Sequence, residues 1–320
     1  MSAAEDLRVV AFGGGTGLPV LLAGLRDRVG DLTAVVTVAD DGGSSGRLRQ
    51  ELGVAPPGDV RNCLVALAGR RRLAEVFNYR FEAPGDLNDH SVGNIIIAAL
   101  SDMAGDFCEG VQQAARFLRI KGQVFPAARE SLTLVVRYAD GTVTRGESVV
   151  RDVGKAVAEV AVEPEGIEAP PGVIEAIEAA DVVVLSPGSL FTSTIPALLG
   201  AGTREALAEF HGPVVYVANV MTQRGETMGF TVSDHVRAVA RHAGSVITDV
   251  LLHSGDLPQD LLARYEAEEA APVEVDREVL EKMGVRVREA DLLSADLRGG
   301  VRHDPVKIAE EVCRTALVRL

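Results

Sequence analysis

A chain of 320 residues with 47% hydrophobic residues and no Trp has the size and composition of an ordinary globular α/β protein. Its 46 Asp and Glu against 32 Lys and Arg give a formal net charge of −14, which argues against bulk nucleic-acid or anionic-membrane binding. A small anionic ligand stays open, because local arginines and helix N-termini override the global charge. MSAAEDLR lacks the basic and apolar regions of a signal peptide, and apolar runs such as Ile95–Leu100 are too short to span a bilayer. Cys63, Cys108 and Cys313 show neither a disulfide framework nor metal-ligand spacing. The expected location is the cytoplasm.

In chain order, residues 8–12 (RVVAF) form an apolar run that ends in Gly13. Leu18, Leu21, Leu22 and Leu25 follow at helical spacing, and residues 32–38 (LTAVVTV) form a second apolar run. Strand, glycine loop, helix and strand predict a βαβ unit with two parallel neighbouring strands. Pro56, Pro57 and Gly58 stop any helix, and Asp59 is placed to cap the next one over 61–68; helix-like segments fill 91–119. In SLTLVVRYADGTVTRGESV, Leu132, Leu134, Val136 and Tyr138 alternate ahead of an Asp140-Gly141 turn. This predicts an antiparallel β-hairpin over about 131–150, as an insertion or sheet extension. EPEGIEAPPG (163–172) reads as a connection. Residues 181–185 (DVVVL), 213–218 (PVVYVA) and 245–252 (SVITDVLL) are further strands. Asp304 and Pro305 start a C-terminal helix over about 304–320, with Val306, Ala309, Val312, Cys313, Ala316 and Leu317 as its buried face. The alternation predicts an α/β fold with a doubly wound, mainly parallel sheet, and 1–320 reads as a single domain.

Several constellations carry chemistry. Gly13-Gly14-Gly15-Thr16-Gly17 lets the backbone approach an anion at a helix N-terminus, although it is neither GxGxxG nor a Walker A loop. Asp40 and Asp41, past the second strand, suit ribose hydroxyls or Mg2+, or else a cap and a solvated loop. Asp41-Gly42-Gly43 alone suits the solvated loop, whereas the continuation Ser44-Ser45-Gly46-Arg47 adds anion-binding groups beside the acids. Arg61 and Asn62 fall in a helix's first turn, where Arg opposes the dipole and so hints at a ligand or carboxylate partner. His90 stands beside Ser91, but adjacent side chains rarely meet and no GxSxG elbow exists, which argues against a hydrolase triad. His90 remains a ligand contact, a proton donor or a helix cap. Ser186–Ser193 repeats the strand, glycine turn and helix start, and Asn219–Thr227 places polar residues at the same sheet edge. Arg302 and His303 either close over a diphosphate or lie in a surface turn.

Taken in order, VADDGGSSGRLR, PPGDVRNCL, HSVGN, SPGSLFTS, NVMTQRGET and RHDP closely resemble the YvcK family, the gluconeogenesis factors related to the CofD phospholactate transferases. The resemblance runs from about Arg8 to the last helix. It implies a three-layer, Rossmann-like CofD fold in a cytoplasmic bacterial protein that supports growth on gluconeogenic carbon and cell shape. It also implies binding of nucleotide sugars such as UDP-N-acetylglucosamine, with no established reaction. Carried onto this chain, the ligand set is Gly13–Gly17, Asp40–Arg47, Asn62, the loop of Pro187, Gly188 and Ser189, and Asn219, with Arg302 at the basic position. Asn94, Thr222 and His303, from the same motifs, complete the candidate set. Pro305 stands where some relatives carry Thr, so regulation by phosphorylation does not carry over.

Two function classes follow. One is a UDP-sugar-binding regulator that acts through a protein partner. The other is a CofD-type transferase moving a phospholactyl or phosphoenolpyruvyl group from a guanosine diphosphate donor with Mg2+, with Asp40, Asp41 and His90 as candidate catalytic groups. NAD binding is a weaker third, opposed by the missing last glycine. A homo-oligomer is expected to use the 131–150 hairpin edge.

Overall fold

The computed structural model describes residues 3–82, 85, 87–294 and 299–319. β1 (Arg8–Gly13) is buried from its second residue on. α1 (Gly17–Leu25) turns Leu18, Leu21, Leu22 and Leu25 into the core, and β2 (Asp31–Val36) pairs parallel to β1 with Gly13 opposite Val36. The predicted βαβ unit is therefore present. β2 ends at Val36, two residues before its apolar run does, so Thr37 and Val38 already lead toward Asp40.

β3 (Gln123–Pro126), β7 (Val182–Leu185), β8 (Val214–Val217), β9 (Asp249–His253) and β10 (Arg286–Ala290) complete a seven-stranded parallel sheet, ordered β10-β9-β8-β7-β1-β2-β3. β7 and β8 are Val-rich and buried throughout, as strands covered on both faces must be. The strand expected over 245–252 runs instead over Asp249–His253, because Gly244, at φ +86°, ends the preceding helix and its carbonyl accepts from Val246 N at 2.8 Å in a turn. Chain order reverses at β1, with β2 on one side and β7 on the other. In an open α/β sheet that switch point opens a crevice at the carboxyl edge.

A second sheet is antiparallel, ordered β5-β4-β6, from β4 (Thr133–Tyr138), β5 (Val143–Arg145) and β6 (Val157–Glu163). Leu134, Val136 and Tyr138 are buried, as their alternation predicts, and Asp140 Oδ1 closes the turn by accepting from Thr142 N at 2.9 Å. The hairpin is shorter than expected. β5 spans three residues, and the longer partner of β4 is β6, whose Val157, Val160 and Val162 supply the matching buried face.

The helices after β2 are α2 (Gly43–Leu52), α3 (Gly58–Leu67) and α4 (Arg71–Asn78). α3 starts three residues earlier than the expected 61–68 helix, so Asp59 lies inside its first turn and caps nothing. The stretch 91–119 forms two helices, α5 (Val92–Ala104) and α6 (Phe107–Leu118). They break at Gly105, with φ +67°, and Asp106, whose carboxylate accepts from Glu109 N at 2.7 Å.

The C-terminal helix Pro305–Leu317 packs on α1, where a Cβ at Gly24 would sit 1.8 Å from the Pro305 carbonyl oxygen. Ala309, Val312, Cys313 and Ala316 are buried as expected, but Val306 and Leu317 are 44% and 38% exposed. The buried stripe runs from Ile308 at three- and four-residue spacing, and both residues fall about 100° or more off it. The Asp304 carboxylate accepts from Val306 N at 2.9 Å and Lys307 N at 3.1 Å. Asp304→Ala is expected to cost about 1 kcal/mol, seen as a fall of about 2 °C in melting temperature.

Candidate functional site

The glycine loop after β1 lies between two other loops at the sheet's carboxyl edge. A Cβ at Gly14 would sit 2.5 Å from the Thr37 methyl and 2.6 Å from Asp59 Oδ2; one at Gly17 would sit 1.7 Å from the Pro187 carbonyl oxygen. Only glycine permits this approach on both sides. Beyond it, Asn219 clasps the next loop, accepting from Gly188 N at 2.9 Å and donating to Gly188 O at 2.6 Å. A pocket of about 230 Å3 opens there. Thr16, Gly17, Pro187, Gly188, Asn219, Thr222 and Gln223 line one part, and Tyr265, Arg302 and His303 the other. The Tyr265 hydroxyl accepts from Val301 N at 2.9 Å and so fixes the segment carrying Arg302. Burial lowers the His303 pKa to about 4, so the imidazole is neutral, and its Nε2 is buried without a partner. The structure thus brings the first glycine loop, the SPGS loop, Asn219, Thr222, Arg302 and His303 together. No motif marks Tyr265 in the sequence, because it sits in the helix Gln259–Ala267 and not in a glycine loop that follows a strand.

On the other side of the glycine loop the cleft is acidic. Asp40 and Asp41 part company. Asp41 Oδ1 accepts from Ser148 N at 2.8 Å, clasping a turn of the small sheet, whereas Asp40 Oδ1 accepts from Gly42 N at 2.9 Å. Asp40 shares the cleft with Asp59 and Glu147. Asp59 Oδ2 accepts from Gly15 N at 2.7 Å. Burial pushes the Asp59 pKa up to about 6 against that hydrogen bond, with the Asp40 charge adding to the rise. Glu147 rises to about 8, through burial first and then the charges of Asp40, Asp59 and Glu226. Glu226 is buried and accepts from Phe191 N at 3.2 Å and the Thr192 hydroxyl at 3.4 Å, holding the single π-helical turn Leu190–Thr194 that follows Ser189. Among the described residues, no group of three or more His, Cys, Asp or Glu has metal-holding geometry. Asp40 and Asp41, the paired acids expected for ribose hydroxyls or Mg2+, accept from different backbone N–H groups.

The first turn of α2 carries Ser44 and Ser45, both buried. His90 Nδ1 lies 3.0 Å from Ser44 Oγ, and Asn94 Nδ2 donates to the same oxygen at 3.1 Å. Ser91 is the N-cap of α5, accepting from Asn94 N at 3.2 Å. His90 thus finds a serine 46 residues away, while its neighbour Ser91 does the capping. Burial and then the Arg47 charge lower the His90 pKa, leaving the ring neutral. Arg47 itself donates to the Asn88 carbonyl at 2.6 Å, at the rim. Arg61, expected to face a carboxylate or a ligand, is 6% exposed and donates to Asn62 Oδ1 at 2.5 Å. Burial and Arg80 lower its pKa to about 10.

The CofD family model, described as 2-phospho-L-lactate transferase CofD, matches residues 9–293. Over 304 residues the chain is 43% identical to the gluconeogenesis factor of Bacillus subtilis, covering 94% of this chain and 96% of that protein. Over 306 residues it is 43% identical to the gluconeogenesis factor of Halalkalibacterium halodurans, covering 95% of each. A crystal structure of a Bacillus halodurans protein superposes with a TM-score of 0.93 at 42% identity, covering 96% of this chain and 99% of that one. The family match over most of the chain and the identity to these relatives place the chain in the CofD family, among the YvcK gluconeogenesis factors.

Proposed function

We propose that this is a cytoplasmic regulatory protein of gluconeogenic growth and cell shape that binds a nucleotide sugar of the UDP-N-acetylglucosamine type and acts through a protein partner. The relatives' name supports the gluconeogenic part. The observation that carries the ligand is the pocket at the switch point, where Arg302 and His303 face two glycine loops. Glycine N–H groups and a guanidinium suit a diphosphate, and Asn219, Thr222 and Gln223 suit the hydroxyls and carbonyls of a sugar or base. Calorimetric titration with UDP-N-acetylglucosamine, with and without Mg2+, tests this against GDP and NAD. Selective binding, with the ligand recovered intact, is the expected result. Arg302→Ala is expected to weaken it about 10- to 100-fold, the loss of one charge-assisted contact.

The acid cluster favours one second reading. Asp40, Asp59 and Glu147 crowd the far side of the same glycine loop, where a CofD-type transferase would handle an acceptor's proton. Mg2+-dependent binding of GDP in place of the UDP-sugar would select that reading.

A further inference from the structure

The Ser44 cluster is built more like a reactive centre than like a hydroxyl contact. Ser44, His90 and Asn94 are 4%, 5% and 1% exposed. Asn94 Nδ2 donates to Ser44 Oγ, which fills an acceptor position on that oxygen. The hydroxyl's own proton is then left for His90 Nδ1, and a neutral imidazole can accept it. Ser44 is also the second residue of a ten-residue helix, where free N–H groups and the dipole favour negative charge on oxygen. A hydroxyl within hydrogen-bond reach of a neutral imidazole is the pairing that activates serine nucleophiles.

Two further observations point to an oxyanion as the ligand. Asn94 Oδ1 is buried with no partner, beside the very amide nitrogen that holds Ser44. Arg61 Nε and Nη1 are buried without partners as well. Arg61 lies against the first turn of α5, its Cδ 2.9 Å from where a Cβ on Gly93 would stand, one residue from Asn94. A buried guanidinium with two open nitrogens calls for an oxyanion, and an orphan amide oxygen calls for a donor. An organic phosphate supplies both.

We propose that Ser44 is a nucleophile activated by His90, taking a phosphoryl group from an organic phosphate ester or anhydride. Ser44 Oγ attacks phosphorus, an Oγ–P bond forms, and the Oγ proton moves to His90 Nδ1. The bond from phosphorus to the leaving oxygen breaks, and that oxygen keeps the electron pair and takes the proton back from His90. Water or an acceptor hydroxyl then attacks the phosphorus, giving its proton to His90; the Oγ–P bond breaks, and Ser44 Oγ keeps the electron pair and takes that proton from His90. The step needs no ligand in the pocket beside Arg302, so it stands or falls separately from nucleotide-sugar binding.

The test uses diisopropyl fluorophosphate on the whole chain, with the adduct mapped by peptide mass spectrometry. Here Ser44 displaces fluoride, and its proton goes to His90. The expected adduct lies on Ser44 and is absent from exposed Ser148. Ser44→Ala removes it, and His90→Gln slows its formation about 100-fold. No adduct on Ser44, or an unchanged rate in His90→Gln, overturns the proposal. Should that variant not fold, the wild-type rate against pH decides. His90 faces Arg47 and Glu51 of α2 and Arg80 and Asp89 of its own loop. The rate should fall about tenfold per pH unit below the His90 pKa; a flat profile in acid overturns the proposal.

Discussion

Gly17→Ala is expected to remove measurable nucleotide-sugar binding and to lower stability by about 1–3 kcal/mol. The new methyl would stand 1.7 Å from the Pro187 carbonyl oxygen and 2.7 Å from its carbon. Neither side can yield cheaply. Gly17 begins α1, whose Leu18, Leu21 and Leu22 are fully buried, so the helix cannot retreat without opening the core. The Pro187 ring fixes its own backbone, and Gly188 is held by two hydrogen bonds with Asn219, one donated by each. The two loops must separate, and they are two walls of the pocket. Gly53→Ala, outside the candidate ligand set, is the control. It meets nothing within 4 Å, and its φ of +69° costs only about 1 kcal/mol of strain. Urea denaturation and calorimetric titration of both variants check this. A Gly17→Ala protein that binds as the wild type does would mean that the loop contact does not shape the site.

The contrast between these glycines shows what local sequence carries. The β1–α1–β2 unit was legible because its strand, glycines and leucine spacing all lie within about thirty residues, and each signal is local. The Asp304 cap was legible for the same reason. Asp40 and Asp41 look equivalent in sequence. They differ only because the Gly146–Ser148 turn, from a different sheet, takes Asp41 and delivers Glu147 beside Asp40. Nothing periodic marks Glu147. Asp59 fits a helix cap by pattern, yet its carboxylate crosses to Gly15, 44 residues earlier. His90 invited comparison with adjacent Ser91, while the fold pairs it with Ser44. In each case the partner is chosen by topology, which short-range pattern does not encode. The ends of the C-terminal helix failed for a different reason. Val306 and Leu317 are apolar, but the buried stripe is set by where α1 lies, not by hydrophobicity alone.

Glu147→Gln is expected to stabilise the protein by about 3 kcal/mol at pH 7. In the folded chain the Glu147 carboxyl, ordinarily near 4.5, holds its proton to about pH 8. The unfolded chain releases that proton near 4.5. Between those values the unfolded state binds fewer protons, so wild-type stability falls as pH rises through the window. Asp59, raised from 3.8 to about 6, adds a fall of the same sign below pH 6. The two share Asp40 as a neighbour, so their effects will not simply add. Glutamine keeps the shape and stays neutral throughout. The variant should therefore match the wild type near pH 4.5 and draw ahead steadily toward pH 8, as measured by urea denaturation at unit pH intervals. A variant less stable than the wild type at pH 8 would mean that Glu147 is ionised and held by a cation. The same series in millimolar Mg2+ separates the two function classes. An ion bound among Asp40, Asp59 and Glu147 would pull their protons off and flatten the wild-type curve, as a metal-using transferase requires. A curve indifferent to Mg2+ would leave these acids as proton holders behind the glycine loop, consistent with a protein that binds its ligand and returns it unchanged.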